Sequence, residues 1–111
     1  MNNGDTELLI YNHFGIKTDS SVDGEINFEK FGLFFTDHEN NPFGVQWMRY
    51  TDNCKLPQLV KSNSHLGFQV KNLNAALAGR KIIIEPNSPS EGICVAFIEE
   101  NGLPVELMEY N

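Results

Sequence analysis

The sequence has few basic residues, no long apolar run and only two cysteines, and each shortage excludes a class of function. Eight lysines and arginines stand against fifteen acidic residues, a formal charge of −7, which argues against nucleic-acid binding because phosphate backbones need a basic surface. No apolar stretch approaches the roughly 20 residues of a membrane-spanning helix. Cys54 and Cys94 form no CxxC pair, and free thiols in a reducing cytosol are expected rather than a disulfide between them. Without a basic, apolar leader sequence, the expected location is the cytoplasm, with no membrane partner.

A single sheet-rich domain is predicted from the length and the residue pattern. The 111 residues, if split, would give two cores too small to be stable, so one domain is expected over 1–111. Runs rich in β-branched and aromatic residues alternate with polar, turn-prone segments, which is typical of strands and their connections. Residues 18–27 carry no apolar residues at helical spacing and are predicted to be a loop. The predicted strands cover about 7–18, 28–36, 43–50, 64–70, 81–85, 93–99 and 103–110, and one helix covers about 72–79.

Two short phrases occur twice, in the same order. NHFGIKT (12–18) returns as SHLGFQV (64–70), with histidine, an apolar residue, glycine and another apolar residue in register. GVQWMRY (44–50) returns as PVELMEY (104–110), with Val, Met and Tyr identical. Two matched phrases in one order predict a duplicated unit, with β-α-β-β-β order in the second half and three strands without a helix in the first. The predicted parts are module 1 (about 7–50), a linker (about 51–63) and module 2 (about 64–110).

Strand alternation places the repeated polar positions on one face of each strand. A pseudo-twofold duplication would bring equivalent positions into one cavity, where four side chains would converge: His13, Gln46, His65 and Glu106. Two imidazoles, an amide oxygen and a carboxylate suit a divalent ion such as Zn²⁺, Ni²⁺, Mn²⁺ or Fe²⁺. A metal that polarises a substrate carbonyl acidifies the neighbouring C–H bond, and a displaced Glu106 could then act as the catalytic base. A strand histidine hydrogen-bonded to a carboxylate, without a metal, is the alternative.

The same alternation gives each closing strand two candidates for lining a substrate cavity. Met and aromatic side chains adapt to apolar ligands, although core packing would explain them as well. Trp47 falls on the opposite face and is expected in the core or a dimer interface, and His38, in a polar turn, is expected to be solvated. The candidate lining residues are Met48, Tyr50, Met108 and Tyr110.

The repeated phrases resemble the two βαβββ modules of the vicinal oxygen chelate superfamily, which includes glyoxalase I, bleomycin-resistance proteins, extradiol dioxygenases and methylmalonyl-CoA epimerase. The resemblance covers nearly the whole chain and is most specific in the second half, from His65 onward. It implies an α+β fold in which paired modules form a cupped, mostly antiparallel, glyoxalase-like sheet, commonly as a homodimer. Gln46 stands where glutamate is common in the family. The superfamily's metal ligands, on the first and last strands of each module, fall on His13, Gln46, His65 and Glu106.

Three functions are compatible with these features. The first is a metal-dependent enzyme that acts on a small molecule chelated through neighbouring oxygens, with isomerase, lyase and dioxygenase chemistry all open. The second is a binding protein of the bleomycin-resistance type, which would hold a small apolar or aromatic molecule without turnover. The third is a structural or regulatory dimer with a vestigial site.

Overall fold

The computed structural model describes residues 8–111, in which eight strands form one curled, mostly antiparallel sheet. The strands are β1 (Ile10–Lys17), β2 (Ile26–Phe28), β3 (Leu33–Phe35), β4 (Val45–Tyr50), β5 (His65–Gln69), β6 (Ile82–Asn87), β7 (Ile93–Glu100) and β8 (Leu103–Tyr110). Two short helices, α1 (Gln58–Ser62) and α2 (Leu73–Leu77), and 3₁₀ turns at Glu29–Phe31 and His38–Asn40 connect them. The protein is therefore a sheet-rich α+β fold with a cupped sheet. Residues 1–7 of the predicted domain lie outside the described part.

The strand order is β2-β3-β4-β1-β5-β8-β7-β6, so the two halves of the chain occupy the two halves of the sheet. The opening strands β1 and β5 meet in the middle as an antiparallel pair, and each has the closing strand of its own half, β4 or β8, as a parallel neighbour. The registers also correspond, because Gly15 pairs with Gln46 and Gly67 pairs with Glu106. The repeated phrases thus lie at equivalent positions on either side of the β1–β5 junction.

Module 1 differs from its predicted form. Residues 28–36 do not form one strand: a 3₁₀ turn precedes β3, and Gly32 between them has the left-handed φ of 71°. The predicted loop over 18–27 ends in β2, which pairs with β3. Module 1 therefore has four strands rather than three, and within residues 8–50 it has no α-helix. The predicted pairing of β3 with β4 is confirmed.

The packed core lies on the outer face of module 2. Helix α2 begins where predicted, because the side chain of Asn72 accepts a hydrogen bond from the Ala75 N–H at 3.0 Å, and Glu109 of β8 accepts another from the Leu73 N–H at 2.7 Å. The residues of α2 cover the face of β8 that alternates with Glu106. The core cluster consists of Val70, Leu73, Ala76, Leu77, Ala96, Ile98, Val105 and Leu107.

The β7–β8 turn and the two cysteines agree with what the sequence predicts. The β7–β8 hairpin turns at Asn101 and Gly102, whose φ angles of 49° and 88° are those expected of an Asn-Gly turn. Cys54 and Cys94 are both free thiols. Within residues 8–111, no helix has the length and apolar character needed to cross a bilayer.

Candidate metal centre

Three of the four predicted ligands meet at the centre of the cupped sheet. His13 on β1, His65 on β5 and Glu106 on β8 have side chains that are 5%, 1% and 15% exposed. Nε2 of His13 lies 3.1 Å from Nε2 of His65 and 3.1 Å from Oε1 of Glu106, and His65 Nε2 lies 3.4 Å from the same oxygen. A metal with bonds of about 2.1 Å holds neighbouring ligands about 3.0 Å apart in an octahedron and about 3.4 Å apart in a tetrahedron. The triangle has the size of one face of a metal's coordination shell.

The glycines of the repeated phrase make room for the two histidines. Across the β1–β5 pair, His13 stands opposite Gly67, and Gly15 stands opposite His65. A Cβ atom on Gly15 would lie closer than 3.0 Å to the His65 ring, and one on Gly67 would lie equally close to the His13 ring. Each imidazole therefore lies over the glycine of the other strand. The His-x-Gly spacing in both halves was the sequence signal for this packing.

Asn12 fixes the ring of His13. Its side-chain oxygen lies 2.7 Å from Nδ1 of His13, and because an amide oxygen only accepts, Nδ1 is the donor. A neutral His13 then carries its lone pair on Nε2, which faces His65 and Glu106. Asn12 was not among the predicted site residues. Its position directly before His13 was the only hint in the sequence, and the repeat did not strengthen it because Ser64 occupies the equivalent position before His65.

Glu106 carries the negative charge of the site. Burial raises the pKa of its carboxyl, but the interactions with the rings of His13 and His65 outweigh burial and lower the pKa to about 2. Nδ1 of His65 is buried and has no hydrogen-bond partner among the described residues. The site is thus a carboxylate and two imidazoles, a donor set that suits a divalent transition metal.

A cavity of about 600 Å³ opens beside the triangle. Gln46 lies in its wall together with His65 and Glu106, so it shares the cavity with two of the three side chains that meet. Residues 85–89, which form the end of β6 and the start of the following turn, line one side. Its largely apolar lining includes Phe28, Phe31, Leu33, Phe35, Met48, Leu56, Val60, Ile84, Val95 and Phe97.

Only the module 1 half of the predicted substrate lining reaches this cavity. Met48 and Tyr50 lie in its wall. Met108 is buried elsewhere, and Tyr110 is exposed, with its hydroxyl accepting a 3.5 Å hydrogen bond from Asn12. The two pairs of residues separate because β4 and β8 run in opposite directions. Each of these strands is parallel to one member of the antiparallel β1–β5 pair. Residues that follow Gln46 and Glu106 therefore diverge toward opposite ends of the sheet.

His38 is not the solvated residue that its polar turn predicts. Its side chain is 25% exposed, and its ring centroid lies 5.6 Å from that of His13. The carboxylate of Asp37 lies 3.7 Å from its Nδ1. His38 lies outside the triangle and packs against one of the histidines that form it.

Comparisons with known proteins bear on the fold alone. The sequence matches no family model and no curated protein. The structure is similar to the crystal structure of hypothetical protein BH1468 from Bacillus halodurans C-125, with a TM-score of 0.61 and 16% sequence identity over 93% of this chain and 95% of that chain. At this identity the similarity shows that the two chains share a fold.

Proposed function

We propose that the protein is a metal-dependent enzyme of the vicinal oxygen chelate superfamily, with its metal held by His13, His65 and Glu106. The observation that carries the proposal is the triangle of Nε2, Nε2 and Oε1 atoms, 3.1–3.4 Å apart and almost fully buried. The duplicated strand order supports it, because these residues lie on the first and last strands of the modules, as in the superfamily that the sequence resembles.

The hydrogen-bonding capacity of the three side chains favours a cation over a metal-free network. The ionised Glu106 carboxylate only accepts hydrogen bonds, and the tautomer set by Asn12 leaves Nε2 of His13 an acceptor as well. His65 could supply one proton to these two acceptors. His13 Nε2 and Glu106 Oε1, 3.1 Å apart, would then be two acceptors facing each other with no hydrogen bond between them. A hydrogen bond there would require the nearly buried imidazole of His13 to become charged, which is costly. A divalent cation would satisfy all three atoms at once.

The cavity beside the triangle supports a small-molecule substrate. Its volume of about 600 Å³ lies within the roughly 300–1,000 Å³ of ordinary ligand pockets. A bound divalent metal would supply Lewis-acid polarisation of a substrate carbonyl. Gln46 lies in the cavity wall as a further ligand or a hydrogen-bond partner of the substrate, and Glu106 holds the charge that can accept a proton. Isomerase, lyase and dioxygenase reactions all use such a site.

Homodimer formation is part of the proposal. Trp47 on β4 is equivalent to Leu107 on β8, which α2 covers and which is only 2% exposed. Module 1 has no such helix within the described residues, and Trp47 is 37% exposed. A second copy of the chain would cover this apolar face.

The largely apolar cavity wall also supports the alternative, a protein that binds a small apolar or aromatic molecule without turnover. Such a protein would bind an environment-sensitive hydrophobic dye in the cavity but no transition metal. Measuring dye and metal binding on the same preparation separates the two functions.

The deciding experiment is a metal titration. The metal-stripped protein is titrated calorimetrically with Zn²⁺, Ni²⁺, Mn²⁺ and, without oxygen, Fe²⁺, and we expect about one ion per chain. His65→Ala and Glu106→Ala should abolish that binding and keep the fold. His38→Ala, which removes the histidine outside the triangle, is the control and should keep the stoichiometry. Absence of binding in the wild type, or unchanged affinity in His65→Ala, would refute the proposed site.

A further inference from the structure

Tyr50 brings an unpaired hydroxyl group to the cavity. It lies on the same face of β4 as Gln46 and Met48, at two-residue steps along the strand, and all three line the cavity. Its side chain is partly exposed, and its hydroxyl forms no hydrogen bond with any residue in the range 8–111 and is not one of the buried atoms there that lack a partner, so it is open to water or to a ligand. In a largely apolar wall, this hydroxyl is a polar group that a bound ligand can contact.

The hydroxyl of Tyr50 is a donor at neutral pH. Burial raises the pKa of the phenol, and the neighbouring Cys54 and the negative charge of Glu106 raise it further. The group therefore keeps its proton throughout the physiological range. A neutral donor near the carboxylate suits an oxygen that carries or develops negative charge.

The duplication does not predict this role, because Tyr110 has the same place in the repeat. Tyr110 follows Glu106 by four residues as Tyr50 follows Gln46, but it is exposed and lies outside the cavity. The antiparallel course of β4 and β8 separates the two phenols. One of two equivalent tyrosines therefore faces the cavity, and the other serves as a matched control.

We propose that Tyr50 donates a hydrogen bond to one of the two neighbouring oxygens of the bound substrate. Tyr50 would then be a substrate-binding residue that selects molecules whose chelating oxygens are negatively charged when bound. The inference rests on the proposed metal site and adds a contact that the three metal ligands do not provide. It concerns binding of the substrate and leaves the affinity for the metal alone unchanged.

The test uses zinc and benzohydroxamate, a small chelator with two neighbouring oxygens and an apolar ring. Zinc affinity is measured first for the wild type, Tyr50→Phe and Tyr110→Phe, and we expect all three to agree within about twofold. Benzohydroxamate is then titrated into each zinc-loaded protein. We expect about tenfold weaker binding to Tyr50→Phe, the usual loss of one hydrogen bond to a charged group, and no change in Tyr110→Phe.

The possible failures are distinguishable. A wild-type protein that binds no zinc overturns the proposed function and this inference together. If the wild type binds zinc, then chelator affinity in Tyr50→Phe within about twofold of wild type overturns the inference alone. An equal loss in Tyr50→Phe and Tyr110→Phe also overturns it, because only one of these side chains lines the cavity.

Discussion

The imidazole of His13 lies over Gly67 of the neighbouring strand, in space that any other side chain would occupy. His65 lies over Gly15 in the same way. The two contacts are related by the duplication, and they bring both Nε2 atoms to one point from opposite directions. The glycines thus belong to the site as fully as the histidines, although they offer no ligand atom.

Replacing either glycine by alanine is expected to damage the metal site more than the fold. In Gly67→Ala the new methyl group displaces the His13 ring, at a cost of about 1–3 kcal/mol in the free energy of unfolding. Metal affinity should fall by about 100-fold because one ligand is misplaced. Urea denaturation and metal titration measure the two effects separately.

The control for this prediction is Gly102→Ala in the β7–β8 turn. Its φ of 88° disfavours alanine, and nothing lies within 4 Å of the added methyl group. This variant should lose stability and keep wild-type metal affinity. If Gly67→Ala binds metal as tightly as Gly102→Ala does, the packing of His13 against Gly67 has no role in the site.

Asn12→Ala is expected to weaken metal binding without removing a ligand. The side-chain oxygen of Asn12 holds the Nδ1 proton of His13 and so keeps the Nε2 lone pair directed at the site. Loss of such an orienting hydrogen bond typically costs about 10–100-fold in metal affinity. Ser64→Ala is the matched control, because Ser64 precedes His65 as Asn12 precedes His13, and it should leave calorimetric metal affinity unchanged. Equal affinities in the two variants would contradict the role given to Asn12.

The repeat made the meeting of three side chains predictable, because they occupy positions that recur in both halves of the chain. His13, His65 and Glu106 follow from matched phrases plus strand alternation. Asn12 and His38 do not, since neither has a counterpart in module 2. Of the four candidates for lining a cavity, Met48 and Tyr50 lie in the wall of this one and Met108 and Tyr110 do not, because equivalence in sequence does not include the direction in which each strand runs.

Strand β2 was missed for a different reason. It has three residues at the edge of the sheet, too few for a period of two to be recognised. Its pairing with β3 depends on the 3₁₀ turn and the left-handed Gly32, which redirect the chain between them. The cupped sheet was predicted from a family resemblance. Much of the cavity wall was not predicted, because it combines residues of module 1 with the segment over 85–89 and with α1, which are far apart in the sequence.

Glu106 should make stability depend on pH in acid. Its pKa of about 2 lies below the value of 4.5 expected in the unfolded chain, so the folded carboxylate stabilises the protein above pH 4.5 and loses that effect as the pH falls toward 2. For the metal-free protein, the contribution is up to about 3 kcal/mol. The unfolding free energy of the wild type relative to Glu106→Gln should therefore shrink between pH 4.5 and 2. Parallel curves for the two proteins over this interval would contradict the charged, hydrogen-bonded state of Glu106.

Trp47→Lys tests the proposed homodimer. A charge at this exposed position on β4 would disfavour burial against a second copy, because an unpaired charge is costly to desolvate. Light scattering after gel filtration should give a dimer for the wild type and a monomer for the variant. Lys17→Ala, a change at an exposed residue on the cavity-facing side of β1, is the control and should remain dimeric. A monomeric wild type would reject the dimer and leave the metal site untouched.

The apolar cavity wall predicts a preference among chelators that share the same metal-binding group. Benzohydroxamate and acetohydroxamate present the same two oxygens, but only the former adds a ring that Phe35, Phe97 and Met48 can cover. Burying roughly 80 Å² of additional apolar surface at about 25 cal/mol per Å² corresponds to about 30-fold tighter binding. Calorimetric titration of the zinc-loaded protein measures this ratio, and Met48→Gln, which makes the wall more polar, should reduce it several-fold while leaving acetohydroxamate affinity the same. Equal affinity for the two chelators in the wild type would mean that the cavity does not receive the body of the ligand.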